Sequence, residues 1–271
     1  NLTNAYANPR WEEDYAANRL GDVDYRPKVS NVRRHWLYLR QRAGDADEYF
    51  VTFDRVSSMD ADFAKSNLLH FIGEPEFLGG NLVAAEVPGH IETWNANRFQ
   101  MELGGAVLHG EAVLPANARI RKVGGEGYEY WVNGVNYDPF PNDANPLGGV
   151  WRLEIMPPTA AEDDLFLNVL HPAAIGGAAP TVTRIPGSSC EGASFDGWVV
   201  MFAKTETAQT AFSYSVAMSG SQRHVLGDMA PGYTYQVYRN GDATPLAQVV
   251  AGSEGIMEFT SPGGGSFQVS Q

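Results

Sequence analysis

Residues 33 to 76, RRHWLYLRQRAGDADEYFVTFDRVSSMDADFAKSNLLHFIGEPE, hold three short runs dense in aromatic and branched residues, set apart by polar segments. Arg33 to Arg40 and Tyr49 to Val56 have the composition of strands, and QRAGDADE between them is polar and contains a glycine, which is hairpin punctuation. The polar run SSMDADFAKS then leads to a third strand, NLLHFIG. Pairing Arg40 with Tyr49 sets His35 opposite Asp54, and a second hairpin centred near Asp62 sets Asp54 opposite His70. Opposite residues on antiparallel neighbours lie about 5 Å apart at Cβ and share a face. The spacing therefore predicts a row of His35, Asp54 and His70 across three strands.

Two imidazoles and a carboxylate suit a divalent transition metal, zinc above all. The same residues admit a second reading, in which Asp54 pairs with Arg55 or Arg34 and both histidines are hydrogen-bonded and half-buried. A one-residue slip in register turns one member of the row to the other face, so spacing alone leaves both readings open.

The rest of the chain extends the strand pattern. From Leu82 onward, NLVAAEVPGH, TWNANRFQMEL, AVLHGEAVLP, RIRKVGG and YEYWVNGVNY come close to alternating every second residue, with Gly, Pro and Asn at the breaks. No long amphipathic helix is apparent, though WEEDYAANRL suits one short helical piece. The expected fold is all-β: a large antiparallel β-sandwich of super-sandwich type over residues 1–175 and a small C-terminal β-sandwich segment over 176–271. The stretch AAIGGAAPTV is the linker-like boundary, and Asn-Gly in RNGD marks a tight turn beyond it.

Composition limits the function classes. The 271 residues are 44% hydrophobic and 19% charged, enough apolar material for a sizeable core. A formal net charge of -13 argues against a nucleic-acid partner, which needs clustered Lys and Arg. Cys190 is the one cysteine, so no internal disulfide forms. No apolar run reaches the length of a membrane span. No P-loop, dinucleotide fingerprint, HExxH or nucleophile elbow occurs.

The order of NLTNAYAN, the aromatic and basic strand, YFVTFDRV, KSNLLHFIGEPEF, GGVWRLEIMPP and DLFLNVLHPA resembles the C-terminal β-sandwich region of heparinase II/III-like polysaccharide lyases. APGYTYQVYRNG resembles the accessory segment with which that family ends. The resemblance implies a structural zinc or other divalent metal held by His35, Asp54 and His70, with His90 and His109 as substitutes for the third ligand. It implies a bacterial, secreted or periplasmic protein that acts on uronic-acid polysaccharides by β-elimination. In that family most catalytic Tyr and His groups lie on an α/α toroid preceding the sandwich, and no toroid pattern occurs in this sequence. A sandwich histidine just before the first metal ligand reaches the active site in some members; Arg33 stands at that position here.

An acidic polysaccharide needs a local basic patch on so acidic a chain, and Arg33, Arg34, Arg40 and Arg42 are the densest group. Tyr128, Tyr130, Trp131 and Tyr137 sit among flexible glycines, where aromatic faces suit sugar rings; the alternative is a strand pair whose rings belong to the core. The candidate carbohydrate-binding set is Tyr128, Tyr130, Trp131, Tyr137 and Arg33. His171, before Pro172, is expected to cap or be buried. Two functions follow: the sandwich portion of a uronic-acid polysaccharide lyase, needing a helical domain for chemistry, or an extracellular non-catalytic protein that binds carbohydrate or self-assembles through sheet edges.

Overall fold

Burial along the strand Val29–Leu39 shows the period of two that alternation predicts, whereas Cys190–Phe195 and Trp198–Ala203 are buried throughout. In the run Tyr49 to Phe53, Tyr49, Val51 and Phe53 are wholly buried on one face. The neighbouring strand alternates exposed Arg34, Trp36 and Tyr38 with more buried His35, Leu37 and Leu39. The computed structural model describes residues 28–40, 47–137 and 149–271. Among them it is all-β, in two compact units, Asn1–Ala179 and Pro180–Gln271. The expected short helix at WEEDYAANRL, and Arg42 of the basic group, lie outside the described residues.

In the first unit the strands are β1 (Val29–Leu39), β2 (Tyr49–Ser58), β3 (Asn67–Phe71), β4 (Glu76–Phe77), β5 (Asn81–Val87), β6 (Ile91–Asn95) and β7 (Arg98–Leu103). They continue with β8 (Ala106–Leu114), β9 (Arg119–Gly124), β10 (Trp131–Val132), β11 (Val135–Asn136), β12 (Trp151–Met156) and β13 (Asp163–Ala174). One sheet has the order β1-β2-β13-β8-β7-β4 and the other β3-β12-β9-β6-β5. Phe99, Ala112 and Phe166 of the first sheet form one core cluster with Phe71, Ile120, Trp151, Leu153 and Ile155 of the second. This is the face-to-face packing of a sandwich.

The second unit adds β14 (Thr183–Pro186), β15 (Cys190–Phe195), β16 (Trp198–Ala203), β17 (Ala211–Val216), β18 (Gln222–Leu226), β19 (Thr234–Arg239), β20 (Ala247–Val250), β21 (Met257–Ser261) and β22 (Gly265–Ser270). Sheets β14-β15-β16-β18-β21 and β17-β22-β19-β20 enclose a core of Val199, Met201, Phe212, Tyr235, Phe259 and Phe267 among others. Asn240 and Gly241 take positive φ of 55° and 76°, as the Asn-Gly pair in RNGD predicts.

Two predicted pairings differ from the observed ones. The β1–β2 ladder starts at Leu39 opposite Tyr49, one residue from the expected Arg40, so Arg34 faces Asp54 and His35 faces Phe53. With a side-chain period of two, that slip sends His35 to the face opposite Asp54. The segment between β2 and β3 is also no hairpin. It crosses from one sheet to the other, where His70 pairs with Arg152 of β12. Phe71 on β3 is buried in the inter-sheet core, an anchor that a strand added beside β2 would not provide.

Candidate functional site: the exposed face of the first strand

Asp54 lies inside the sandwich, and its ligands are protein groups. Arg34 Nε donates to Oδ1 at 2.7 Å and Nη2 to Oδ2 at 2.6 Å, while Asn67 Nδ2 of β3 donates to Oδ2 at 2.6 Å. Asn168 Nδ2 donates to Asn67 Oδ1 and Thr52 Oγ1, so one polar chain runs from the rim to the space between the sheets. The Arg34 side chain is 41% exposed, so its ion pair is worth on the order of 1 kcal/mol despite the bidentate geometry.

The structure does not bring His35, Asp54 and His70 together. His35 Nδ1 lies 3.4 Å from Arg55 Nη2 on the opposite face of the first sheet, and His70 is in the second sheet. Of the substitutes, His90 Nδ1 bonds Gly124 O at 3.1 Å, and His109 Nε2 bonds Gly177 O at 3.0 Å. Among the described residues no group of three His, Cys, Asp or Glu is placed to hold a metal ion. The three residues do not fit a zinc site in this arrangement. His171 is buried, stacked on Tyr49 at 4.6 Å with Nδ1 3.1 Å from Glu48 O.

Farther along the face that carries Arg34 and Asp54, the surface opens. Trp36 is 57% and Tyr38 40% exposed, an unusual state for two large rings on one strand. Phe50 of β2 supports both, with ring centroids 6.0 Å from Trp36 and 4.7 Å from Tyr38, the latter pair stacked within 8°. The Arg40 guanidinium lies 5.5 Å from the Tyr38 ring centre. Tyr38 Oη donates to Glu48 Oε2 at 2.5 Å, and that bond, with minor burial and the carboxylate charge, holds its phenol above the usual range. The result is an aromatic stripe, its Trp36 ring tilted by 52° to Phe50, with Arg34 at one end and Arg40 at the other. The signal for it lies in the parity of RRHWLYLR: Arg34, Trp36, Tyr38 and Arg40 alternate with His35, Leu37 and Leu39.

Next to Arg34 the stripe meets a cleft of about 250 Å³. Val32, Val56 and Phe166 give it apolar walls, and Asp54, Lys65 and Asn67 give it polar ones. Lys65 Nζ is held by Asp164 Oδ2 at 3.1 Å and Ser58 Oγ at 2.9 Å.

The predicted carbohydrate-binding aromatics form a separate corner. Tyr128 stacks on His90 at 4.6 Å and tilts against Trp131 at 5.1 Å. Residues 128–130 are turn rather than strand, and β10 and β11 pair around Asn133 and Gly134, both at positive φ, in a two-residue hairpin. Tyr137 is 59% exposed, and its N–H bonds Tyr130 O. Arg152 Nη2 donates to Trp131 O at 2.5 Å, which ties the hairpin to the outer face of the second sheet. Arg152, Glu154, Arg121 and Glu86 continue from there as a ladder of ion pairs. Arg33 is not part of this corner; it sits on β1 opposite Arg55, on the reverse face from Arg34.

No helix among the described residues is long and apolar enough to cross a membrane. No protein-family model matches the chain, and no curated protein matches it.

Proposed function

We propose that this chain is the sugar-facing β-sandwich portion of a uronic-acid polysaccharide lyase of the heparinase II/III-like kind, exported by a bacterium, and that its own contribution is polysaccharide binding. The observation that carries the reading is the stripe of Trp36 and Tyr38, two exposed rings on one strand with Arg40 beside them. Aromatic faces stack on the C–H faces of pyranose rings, and a guanidinium pairs with a uronate carboxylate through two parallel N–H bonds. A chain of net charge -13 repels a polyanion at long range, so a local cation next to the stacking surface is what such binding needs.

β-Elimination needs a group to neutralise the carboxylate, a base for the C5 proton and an acid for the leaving oxygen. The proposal assigns the base and acid to a helical domain. Electrophoresis through gels containing polygalacturonate or alginate, together with the absorbance of unsaturated uronate, tests it. Retardation by a polyuronate that Trp36→Ala abolishes, without chromophore growth, is the expected result. Unretarded migration in every polyuronate contradicts binding, and chromophore growth with this chain alone contradicts the assignment of chemistry.

The open edge of the second sheet favours a second reading, a self-assembling protein on the same sandwich. Among the described residues β5 pairs only with β6, and Asn81 to Glu86 are exposed on both faces with Glu86 as their one charge. Two register irregularities against β6 blunt that edge. A sedimentation coefficient that rises with concentration, and that Val83→Lys returns to the monomer value, supports assembly; a constant monomer value removes it.

A further inference from the structure

We infer that β20 is the contact strand of a homodimer, pairing antiparallel with β20 of a second copy about a two-fold axis at Gln248. This contact involves neither the aromatic stripe nor the β5 edge. Among the described residues β20 pairs only with β19, so one side of it has no strand partner. The other edge strands of the second unit are guarded. β14 carries Arg184 and Pro186, β21 carries Glu258, and β17 has Cys190 Sγ against Ser213 O at 3.7 Å. Ala243 to Ser253, around β20, include no charged residue in a chain of net charge -13. Two copies that repel each other elsewhere meet no like charge there.

Backbone and side chains select the same register. Ala251 N–H bonds Tyr233 O, and Thr234 and Gln236 stand opposite Val250 and Gln248. Bonds alternate along an antiparallel pair, so Ala247 and Val249 bond inward to β19 while the N–H and C=O of Gln248 and Val250 point to the free edge. The side chains have the same parity: Ala247 and Val249 pack against the core, and Leu246, Gln248 and Val250 are exposed.

A stretch of this pattern pairs with its own copy only when the axis passes through a residue. An axis between two residues sets exposed Gln248 against inward Val249. Centring on Gln248 sets it opposite its own copy and Leu246 opposite the second copy's Val250. Leu246 is 37% and Val250 59% exposed, and in this register each covers the other. A glutamine amide both donates and accepts, so two of them across a two-fold axis satisfy one another, which two carboxylates or two ammonium groups do not. An edge this short buries well under the about 1,600 Å² of a standard interface, and a dissociation constant of about 0.1 mM is expected.

Sedimentation equilibrium of the full chain at concentrations up to about 1 mM tests the dimer. Gln248→Glu sets two carboxylates against each other at the axis and is expected to weaken association at least about ten-fold, while Val83→Lys on β5 leaves it unchanged. Register is read by oxidation of cysteine variants. Gln248→Cys puts the two thiols on Cα atoms about 5.5 Å apart, within disulfide reach, whereas Leu246→Cys puts them about 14 Å apart. Both positions are exposed, and Cys190, common to both variants, is fully buried. Rapid disulfide-linked dimer from Gln248→Cys with little from Leu246→Cys is the expected result. A monomer at every concentration overturns the proposal, as does association that Gln248→Glu leaves intact. Disulfide formation no faster in Gln248→Cys than in Leu246→Cys overturns the register. Association lost in Val83→Lys and kept in Gln248→Glu assigns assembly to β5 and removes β20 as the contact.

Discussion

The core of the second unit and the exposed face of β1 use similar residues to opposite ends. In the second unit Ser261 Oγ donates to Gly263 O, so His224 Nε2–H donates to Ser261 Oγ at 3.0 Å and His224 Nδ1 accepts from Tyr214 Oη at 3.0 Å. Hydroxyl, imidazole and phenol in a row are the parts of a nucleophile and its base. Yet His224 is fully buried, stacked on Phe259 at 4.4 Å and near Phe267 at 4.6 Å, and burial pulls its pKa down to about 3. That chain satisfies polar groups in a core. On β1 the groups are chemically plainer, two aromatic rings and a guanidinium, but they face solvent with their positions fixed from beneath. Access, more than residue type, separates a structural polar cluster from a recognition surface.

The acid response of the two regions gives the largest expected contrast. His224 has a folded pKa of about 3 against an ordinary value near 6.5, so between those values the unfolded chain binds a proton that the folded one does not. Stability of the second unit is therefore full above about pH 6.5 and falls as pH drops toward 3, by up to roughly 4 kcal/mol. Urea titrations across that range measure it. His224→Phe flattens the profile whatever its effect at neutral pH; a profile that keeps its slope in this variant removes His224 as the cause.

Asp54→Ala comes next. It leaves Asn67 Nδ2 and the inner edge of Arg34 without their acceptor, and the expected cost is about 2 kcal/mol, most of it from buried Asn67 because Arg34 is partly solvated. A loss of only a few tenths of a kcal/mol in urea unfolding contradicts the network. Trp36→Ala inverts the pattern: oligosaccharide affinity drops about ten-fold by calorimetry while unfolding stability moves by less than about 0.5 kcal/mol, since an exposed ring supports little of the core. Trp131→Ala has the smallest effect on binding, under about two-fold, because that ring packs against Tyr128 and the contact to Arg152 uses the backbone carbonyl. A larger loss for Trp131→Ala than for Trp36→Ala moves the recognition surface to the hairpin corner.

Legibility in the sequence differed between these regions for physical reasons. The all-β class follows from alternation, and the observed sheets have it. Register does not follow, because the polar loop between β1 and β2 admits Leu39 or Arg40 opposite Tyr49 with almost the same pattern, and one residue decides which of Arg34 and His35 meets Asp54. The alternative pairing of Asp54 with Arg34, open on spacing alone, is the one observed. His70 was illegible for another cause. A polar segment of ten residues suits a hairpin or a crossing between sheets equally well, and only the burial of Phe71 against the second sheet distinguishes them. The hairpin corner drew notice through its glycines and tyrosines, but the stripe was spelled out by parity in RRHWLYLR. Identifying it required knowing that Trp36 and Tyr38 stay exposed, with no strand among the described residues over them, which is a property of the neighbours and not of the stretch itself.

The most direct test of the stripe as the sugar-binding surface is the indole N–H spectrum of ¹⁵N-tryptophan-labelled protein titrated with a uronate-containing hexasaccharide. The chain has six tryptophans, and single substitutions assign each resonance. The expected result is a progressive, saturable shift of the Trp36 signal, with the Trp131 and Trp198 signals fixed. A titration in which Trp131 moves and Trp36 does not, or in which no indole moves up to millimolar ligand, contradicts the account.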